Sequence, residues 1–334
     1  MKKTILWFLV VVVIVSMVSL FSLVSCKKET TEEEEAVAEE VAEETTEETT
    51  TQEEQLKFAF SVAILDNPYF IEVANGFKDR CEELGIEAII NDGEYDAEKQ
   101  YSQMENYITL GVDAICVAPV DTKSLEEIVE RAKDAGIVVI GEAQGIENAD
   151  ANVIVNDYEY GTTIGSTAAK WINEKLDGIA KVILLTLDHV EAVILRGDGM
   201  RDVINEECPD SEIIAREAAQ TTEEAMDDAI ALLQANPDVK VISCVNDQLA
   251  LGANQAVVNL GLEGPDFFVG GADDTAEGEA KMKEEGSVFR ATIDIDPYGT
   301  GKICADIMYD YVKNGVKNET IYFEMNPVWQ EDLK

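Results

Sequence analysis

The chain has 334 residues, is 46% hydrophobic, and carries a formal net charge of −43 with a single histidine. A field of this sign repels nucleic acid and anionic lipid, so we expect neither as a partner. One histidine leaves little for acid–base catalysis, and the sequence has no Ser-His-Asp order, phosphate-binding loop or metal-ligand spacing. We therefore expect no enzyme activity, no cofactor and no metal site.

The N-terminus has the pattern of an export signal. Two lysines precede an apolar run over residues 5–20, and Leu23-Val24-Ser25-Cys26 is typical of a bacterial lipobox. The pattern predicts a lipoprotein signal peptide over residues 1–25 and lipidation of Cys26. The mature protein would then be extracytoplasmic, in the periplasm or at the cell surface, and held to the membrane by its lipid alone. An uncleaved membrane anchor is the alternative, because the apolar run is nearly long enough to span a bilayer.

Residues 26–55 form a second, very different segment. They consist almost wholly of Glu, Thr, Ala and Val without aromatic residues, so they cannot bury enough surface to fold. We expect an acidic, disordered tether there. Beyond it, the chain is long enough for two domains.

Five cysteines remain after Cys26, and none has metal-ligand spacing with another. We expect buried thiols, with a disulfide as the alternative. The five are Cys81, Cys116, Cys208, Cys244 and Cys304.

From residue 56 onward, apolar runs of strand length alternate with helical patterns. The first strand begins at Phe58 and stops before Asn67-Pro68, and a helix pattern then runs to Gly85. Further strands are expected at 87–90, 114–117, 137–140, 153–155, 182–185, 239–245, 267–270 and 289–293. Further helices are expected at 97–110, 124–135, from 156 onward, and at 196–207, 222–234, 249–260 and 300–314. This alternation predicts βαβ units and parallel sheets.

A faint internal repeat divides the folded part in two. Gly111, Asp113 and Gly136 recur in order as Asn236, Asp238 and Gly261, each within the same succession of helix, strand, loop and helix. Two similar α/β domains facing each other would produce this repeat. The cleft between them is the expected binding site.

Polar and aromatic residues follow many of the predicted strands. Ligands in open α/β sheets bind beyond the carboxyl ends of the strands, and carboxylates and amides there suit hydroxyl groups. Each has a structural alternative: Asp157 as a helix cap, Asp294 as a turn residue, and Tyr69 and Phe70 as core aromatics. The candidates are Asn67, Tyr69, Phe70, Glu142, Asp157, Asn246, Asp273 and Asp294.

Several segments resemble the ribose-binding family of sugar-type periplasmic binding proteins, the solute receptors of ABC importers. Asn67-Pro68-Tyr69-Phe70 is similar to the family's Asn-Pro-Phe-Phe entrance. Asn246-Asp247-Gln248-Leu249-Ala250-Leu251-Gly252-Ala253 is close to its Asn-Asp-x-x-Ala-Leu-Gly-Ala segment. Gly271-Ala272-Asp273 resembles Gly-Phe-Asp, and Arg196-Gly197-Asp198-Gly199 resembles a helix start with a mainly structural role. The resemblance extends over residues 56–334.

The resemblance implies the periplasmic binding protein type I fold: two doubly wound parallel-sheet α/β domains joined by a three-crossover hinge. The N-terminal domain would comprise residues 56–156 plus 296–323, and the C-terminal domain residues 157–295 plus 324–334. The crossings would lie near Asn156, Asp296 and Phe323. Tyr69 and Phe70 would stack on a ligand ring, and hinge closure would trap the ligand.

The same resemblance implies which polar groups bind the ligand and where this chain departs from the family. Hydroxyl partners would be Asn67, Glu142, Asn246 and Asp273. Glu142-Ala143 stands where ribose receptors have Asp-Arg, a second arginine falls near Ile194, and Ile295 falls where a Gln is expected. Gln220 replaces an aromatic residue of the family and is a further candidate for ligand binding. With two guanidinium groups lost and carboxylates in excess, we expect a donor-rich ligand: a sugar other than ribose, a polyol or a cationic compound.

The leading functional hypothesis is therefore a monomeric receptor that captures a small sugar or polyol and delivers it to an ABC permease and its ATPase. A receptor that presents a signal of the autoinducer-2 type, or a non-sugar solute, to a sensor protein is the alternative. A glycosidase with paired carboxylates is a weaker hypothesis. His189 follows a predicted strand, and we expect it either to face the cleft or to be structural.

Overall fold

The computed structural model describes residues 55–333. The predicted signal peptide, Cys26 and all but the last residue of the tether lie outside the described residues. Among the helices of residues 55–333, none combines the length and apolar character needed to cross a bilayer.

The first half of the described chain alternates strands and helices. Its elements are β1 (Lys57–Val62), α1 (Pro68–Glu83), β2 (Glu87–Asp92), α2 (Ala97–Leu110), β3 (Ala114–Val117), α3 (Thr122–Asp134), β4 (Val138–Ala143), β5 (Ala151–Ile154) and α4 (Asp157–Lys175). Here the strand and helix pattern of the sequence is confirmed, with boundaries that move by only a few residues.

The second half repeats the alternation with additional short elements. These are β6 (Lys181–Thr186), α5 (Glu191–Glu207), β7 (Glu212–Ala218), α6 (Thr222–Ala235), β8 (Val241–Cys244), α7 (Asp247–Leu260), β9 (Phe268–Gly270), α8 (Ala276–Lys283), β10 (Phe289–Asp294), α9 (Pro297–Asn314), β11 (Glu319–Tyr322) and β12 (Asn326–Trp329). A 3₁₀ helix follows at Gln330–Leu333.

The strands form two six-stranded sheets, in the orders β11-β5-β4-β3-β1-β2 and β12-β10-β9-β8-β6-β7. All strands of the first sheet are parallel. The second sheet is parallel except for β12, which pairs antiparallel with β10 at the edge. We call the parts built on these sheets domain 1 and domain 2. The predicted α/β fold class is confirmed, with one antiparallel edge strand as the difference.

The chain passes between the sheets three times: between β5 and α4, between β10 and α9, and between β11 and β12. Helix α9 packs on α1 in domain 1, whereas α4 packs on α5 in domain 2. These connections contain Asn156, Asp296 and Phe323 and form the three-crossover hinge. The residue boundaries predicted for the two domains remain a prediction.

Some short or exposed elements of domain 2 and of the C-terminal part were not predicted from the sequence. Strand β7 lies at a sheet edge and is partly exposed, so it lacks a continuous apolar run. Helix α8 has eight residues and mostly polar or small side chains. Strands β11 and β12 are four residues long and largely exposed. Helix α5 starts at Glu191, five residues before the predicted start, without a side-chain cap to mark the position.

The strands of both sheets carry the core. Strands β3 and β8 are buried along their whole length, as expected for strands covered by helices on both faces. The five cysteines of the described region are free and buried. The predicted buried thiols are therefore confirmed, and the disulfide alternative is not.

Helices α4 and α5 approach each other at glycine positions. A Cβ atom on Gly161 would lie 2.0 Å from the backbone oxygen of Arg196. The two helices would have to move apart to accommodate a side chain at Gly161. The close contact therefore fixes the position of Arg196 relative to α4.

We expect Gly161→Ala to lower the free energy of unfolding by about 1–3 kcal/mol, because the methyl group overpacks this helix contact. Urea unfolding of the chain checks this. Gly145→Ala is the matched control, since a Cβ there meets its nearest atom at 3.6 Å. Equal stability of the two variants would contradict the packing argument.

Candidate functional site

Asn67 begins helix α1 at the carboxyl end of β1. Its Oδ1 accepts a hydrogen bond from the backbone N–H of Tyr69 at 2.9 Å, and Pro68 occupies the first helical position. Because the capping oxygen is committed to the backbone, the side-chain NH₂ is the group of Asn67 that remains for a ligand.

Asn246 occupies the corresponding position in domain 2. It caps helix α7 after β8, and its Oδ1 accepts from the backbone N–H of Leu249 at 3.0 Å. The two asparagines are both buried. Each therefore presents a hydrogen-bond donor whose orientation is fixed by a helix start.

Asp273 follows β9 and is a buried carboxyl group that lines the cavity between the domains. Its φ of 101° lies in the region that residues other than glycine rarely adopt. The Tyr160 hydroxyl donates to Asp273 Oδ1 at 3.0 Å, which leaves Oδ2 for a ligand. Burial raises the pKa of Asp273 to about 7, while the nearby Arg196 and the Tyr160 hydrogen bond oppose the increase. Backbone strain of this kind is typical of functional positions.

Glu142, at the end of β4, is fully buried and acts through Tyr69. The Tyr69 hydroxyl donates to Glu142 Oε1 at 2.5 Å, whereas Oε2 is buried without a hydrogen-bond partner. Burial raises the pKa of Glu142 to about 8, although hydrogen bonds from Tyr69 and the Ala143 backbone oppose this. Burial therefore favours the neutral carboxyl group, and its hydrogen bond with the hydroxyl helps to orient Tyr69.

Arg196 lines the same cavity, although its place in the Arg-Gly-Asp-Gly segment predicts a mainly structural role. Its Nε and Nη2 donate to Asp157 Oδ1 at 2.9 and 2.7 Å, and Nη1 donates to the carbonyl of Val245 at 3.2 Å. The guanidinium also lies over the Tyr160 ring, 4.6 Å from its centroid. Burial alone would lower the pKa of Arg196, but the nearby Asp157 carboxylate raises it, and the net effect is an increase. Arg196 thus brings one guanidinium group to the site, while Ala143 and Ile194 stand at the two positions where the resemblance would place ligand-binding arginines.

These groups surround one cavity between the two domains, with about 80 Å³ of water-accessible space. We call it the interdomain cavity. Its polar lining comprises Asn67, Gln144, Arg196, Asn246 and Asp273, and its aromatic lining comprises Tyr69, Phe70, Tyr95 and Phe323. The rest of the lining is aliphatic. Five predicted site residues thus come together here, and the additional polar or aromatic members are Tyr95, Gln144, Arg196 and Phe323.

The other predicted site residues lie away from this lining. Glu142 accepts a hydrogen bond from Tyr69 and Asp157 accepts from Arg196, but neither carboxyl group lines the cavity itself. Gln220 is half-buried near the start of α6, where its backbone N–H donates to Glu224. Asp294 accepts from the backbone N–H of Asp296 at 2.7 Å and lines a separate hollow at the hinge crossings.

Contacts between the domains bridge the cleft at three places. Glu72 Oε1 accepts from the backbone N–H of Ala276, the first residue of α8, at 2.6 Å. Lys123 pairs with Glu191 at 3.3 Å. The rings of Tyr95 and His189 meet edge to face with their centroids 6.5 Å apart.

His189 thus lies at the cleft rim, and burial lowers its pKa. No group of three or more His, Cys, Asp or Glu side chains within the described residues is arranged to hold a metal ion.

We expect the pH dependence of stability to change in Glu142→Gln. The folded-state pKa of about 8 exceeds the ordinary value of 4.5, so the folded chain binds more protons between these pH values. The contribution of Glu142 to stability is then fully present below pH 4.5 and is lost as the pH rises to about 8, by at most about 1.4 kcal/mol per pH unit. The neutral amide should remove that slope.

Urea unfolding at pH 5, 6, 7 and 8 measures the slope. Glu147→Gln, at an exposed position nearby, serves as the control and should keep the wild-type slope. An unchanged slope in Glu142→Gln would mean that Glu142 is ionised in the folded chain.

Comparisons with known proteins agree with this geometry. Residues 58–316 match the family described as periplasmic binding protein domain. A ribose import binding protein of Bacillus subtilis is 27% identical over 272 residues, which cover 80% of this chain and 86% of the relative. A putative rhizopine-binding protein of Rhizobium meliloti is 30% identical over 286 residues, covering 82% of this chain and 90% of the relative.

A solved structure gives the same result for the fold. An ABC transporter solute-binding protein from Actinobacillus succinogenes, with bound D-allose, has a TM-score of 0.76 and 25% identity, covering 84% of this chain and 99% of that chain. The family consists of extracytoplasmic solute-binding proteins and not of enzymes. The chain belongs to the periplasmic binding protein family, in its sugar-type, ribose-binding branch.

Proposed function

We propose that this chain is the solute receptor of an ABC importer and captures a small, uncharged sugar or polyol in the interdomain cavity. Closure of the two domains about the three-crossover hinge would trap the ligand, and the closed receptor would deliver it to a membrane permease with its ATPase. The relatives named above, which include a ribose import binding protein and an allose-bound receptor, support this ligand class.

One observation carries the proposal: fixed donors and a fixed acceptor from both domains meet around one cavity. The NH₂ groups of Asn67 and Asn246 can each donate to a hydroxyl oxygen, and Asp273 Oδ2 can accept from a hydroxyl hydrogen. Tyr69 and Phe70 supply flat apolar surface beside them. Hydroxyl groups on a ring of C–H bonds match this combination of polar and apolar lining.

The charge of the site argues against an anionic ligand. Arg196 is already paired with Asp157, so it offers N–H donors without an unmatched positive charge. Asp273 adds a carboxylate that titrates near neutral pH. An anion would have to enter a cavity whose net charge is zero or negative, which disfavours it.

We extend the proposal to the segments outside the described residues. Cleavage before Cys26 and its lipidation would hold the receptor at the membrane, and the acidic segment 26–55 would link the lipid to the folded part of the chain. The receptor would then act as a monomer next to its permease. The order of lysines, apolar run and lipobox supports this arrangement.

We expect a thermal-shift screen of residues 55–334 against pentoses, hexoses, cyclitols, polyamines and nucleosides to find a neutral sugar or polyol. A ligand at one hundred times its dissociation constant adds about 2.7 kcal/mol of stability. Asp273→Asn should weaken binding by about 10- to 100-fold, because a charge-assisted hydrogen bond is worth about 1.5–3 kcal/mol.

Asp294→Asn is the matched control, since Asp294 lies outside the interdomain cavity. It should bind the same ligand within about threefold of wild type. Selective binding of a polyamine or a nucleoside would contradict the proposed ligand class. Equal losses in both variants would contradict the assignment of Asp273.

For the anchor, we expect the full-length chain with Cys26→Ala to leave the membrane fraction or to remain as an uncleaved precursor. Metabolic labelling with a palmitate analogue and cell fractionation measure both outcomes. Cys81→Ala, at a buried position, should keep the label. Continued labelling of Cys26→Ala would contradict lipidation at Cys26.

A further inference from the structure

Tyr95 lines the interdomain cavity from a part of the fold that carries none of the predicted site residues. It lies in the connection between β2 and α2, and β2 is the outer strand of the first sheet. The other aromatic side chains of domain 1 in the cavity, Tyr69 and Phe70, come from the start of α1.

The backbone holds Tyr95 over the end of β1. Its N–H donates to the carbonyl of Ala63 at 2.9 Å, and the N–H of Gly93 donates to Val62 at 2.7 Å. A Cβ on Gly93 would lie 2.8 Å from the Val62 oxygen, so the connection is packed directly on the strand. Glu94 and Tyr95 both have positive φ values, of 54° and 51°. Such a conformation persists only where surrounding contacts enforce it.

A side chain of domain 2 meets Tyr95 from across the cleft. The His189 ring makes an edge-to-face contact with Tyr95, with an angle of 86° between the planes. His189 lies between Leu187 and Val190, which both line the cavity. The backbone of Tyr95 is therefore held on the end of β1, and its ring faces His189 of domain 2 across the cleft.

The Tyr95 hydroxyl keeps its proton at physiological pH. Its pKa is raised to about 12, chiefly by burial and also by Asp66 and Asp273, while the Asn67 amide opposes the increase. Tyr95 thus offers a flat apolar surface with a single hydroxyl donor, rather than a charged group.

We propose that Tyr95, with His189 behind it, is a specificity-determining residue that restricts the site to single-ring ligands without a substituent at this end. A sugar or cyclitol ring would pack against Tyr95, whereas an added O-methyl group or second sugar would meet a ring that cannot swing aside without opening the cleft. This inference rests on the proposed function and assigns one wall of the same site.

The test measures dissociation constants by calorimetry with the full-length protein. The probes are D-ribose, D-allose and myo-inositol, and the mono-O-methyl derivatives of each. Wild type should bind at least one parent compound, and at least one of its methyl derivatives should bind ten or more times more weakly. In Tyr95→Ala the parent should bind about tenfold more weakly, and the discriminated derivative should bind within about threefold of the parent.

Three further variants separate a selective wall from a general loss of packing. Tyr95→Phe keeps the ring and should keep the wild-type discrimination. His189→Ala should reduce the discrimination, because the ring loses its support across the cleft. Tyr298→Ala, at an exposed tyrosine outside the cavity, should match wild type.

The outcomes distinguish this inference from the proposed function. A wild-type protein that binds a parent compound, with Tyr95→Ala retaining the tenfold discrimination, would overturn the role of Tyr95 and leave the receptor proposal intact. Equal binding of parents and derivatives by wild type would do the same. A wild-type protein that binds none of the three parents would overturn the proposed ligand class and this inference with it.

Discussion

Two helix caps govern the chemistry of the interdomain cavity. Asn67 and Asn246 each use the side-chain oxygen to satisfy a backbone N–H at a helix start, and this fixes which end of each amide faces away from the helix. A surface asparagine can turn over and either donate or accept, but these two cannot without leaving an N–H group unpaired. The fold therefore supplies two donors in defined positions, one from each domain, before any ligand arrives.

Burial then sets the charge of the groups around these donors. Glu142 is held in a fully buried position with one oxygen unpaired, which favours its neutral form. Arg196 and Asp157 instead compensate each other, with both side chains nearly buried. Asp273 is the carboxylate left to accept from a ligand. Three carboxyl groups that resemble one another in the sequence thus have three roles: a neutral support, a counter-ion and an acceptor.

The sequence predicts the fold well because the central strands of both sheets are buried apolar runs that alternate with helices. It also predicts residues directly behind strand ends, such as Asn67 and Asp273, since parallel strands bring their carboxyl ends to one edge. The role of Arg196 in the site could not be predicted, because Gly197 and Gly199 suggest that a helix starts there. In the structure α5 begins at Glu191, and the two glycines allow close packing instead. The position of Tyr95 in the cavity could not be predicted either. It depends on the positive φ values of Glu94 and Tyr95, and a pattern of apolar residues contains no information about such values.

Closure of the cleft requires more than the contacts between the domains. Lys123 and Glu191 are largely exposed, with 74% and 85% of their side chains accessible, and exposed ion pairs contribute little. Glu72 benefits from the N-terminus of α8, but burial raises its pKa and the carboxylates of Asp296 and Glu279 reinforce the increase. These contacts alone contribute little to holding the domains together. A ligand that contacts Asn67 in one domain and Asp273 in the other can then shift the balance to the closed arrangement, because only there do both groups reach it.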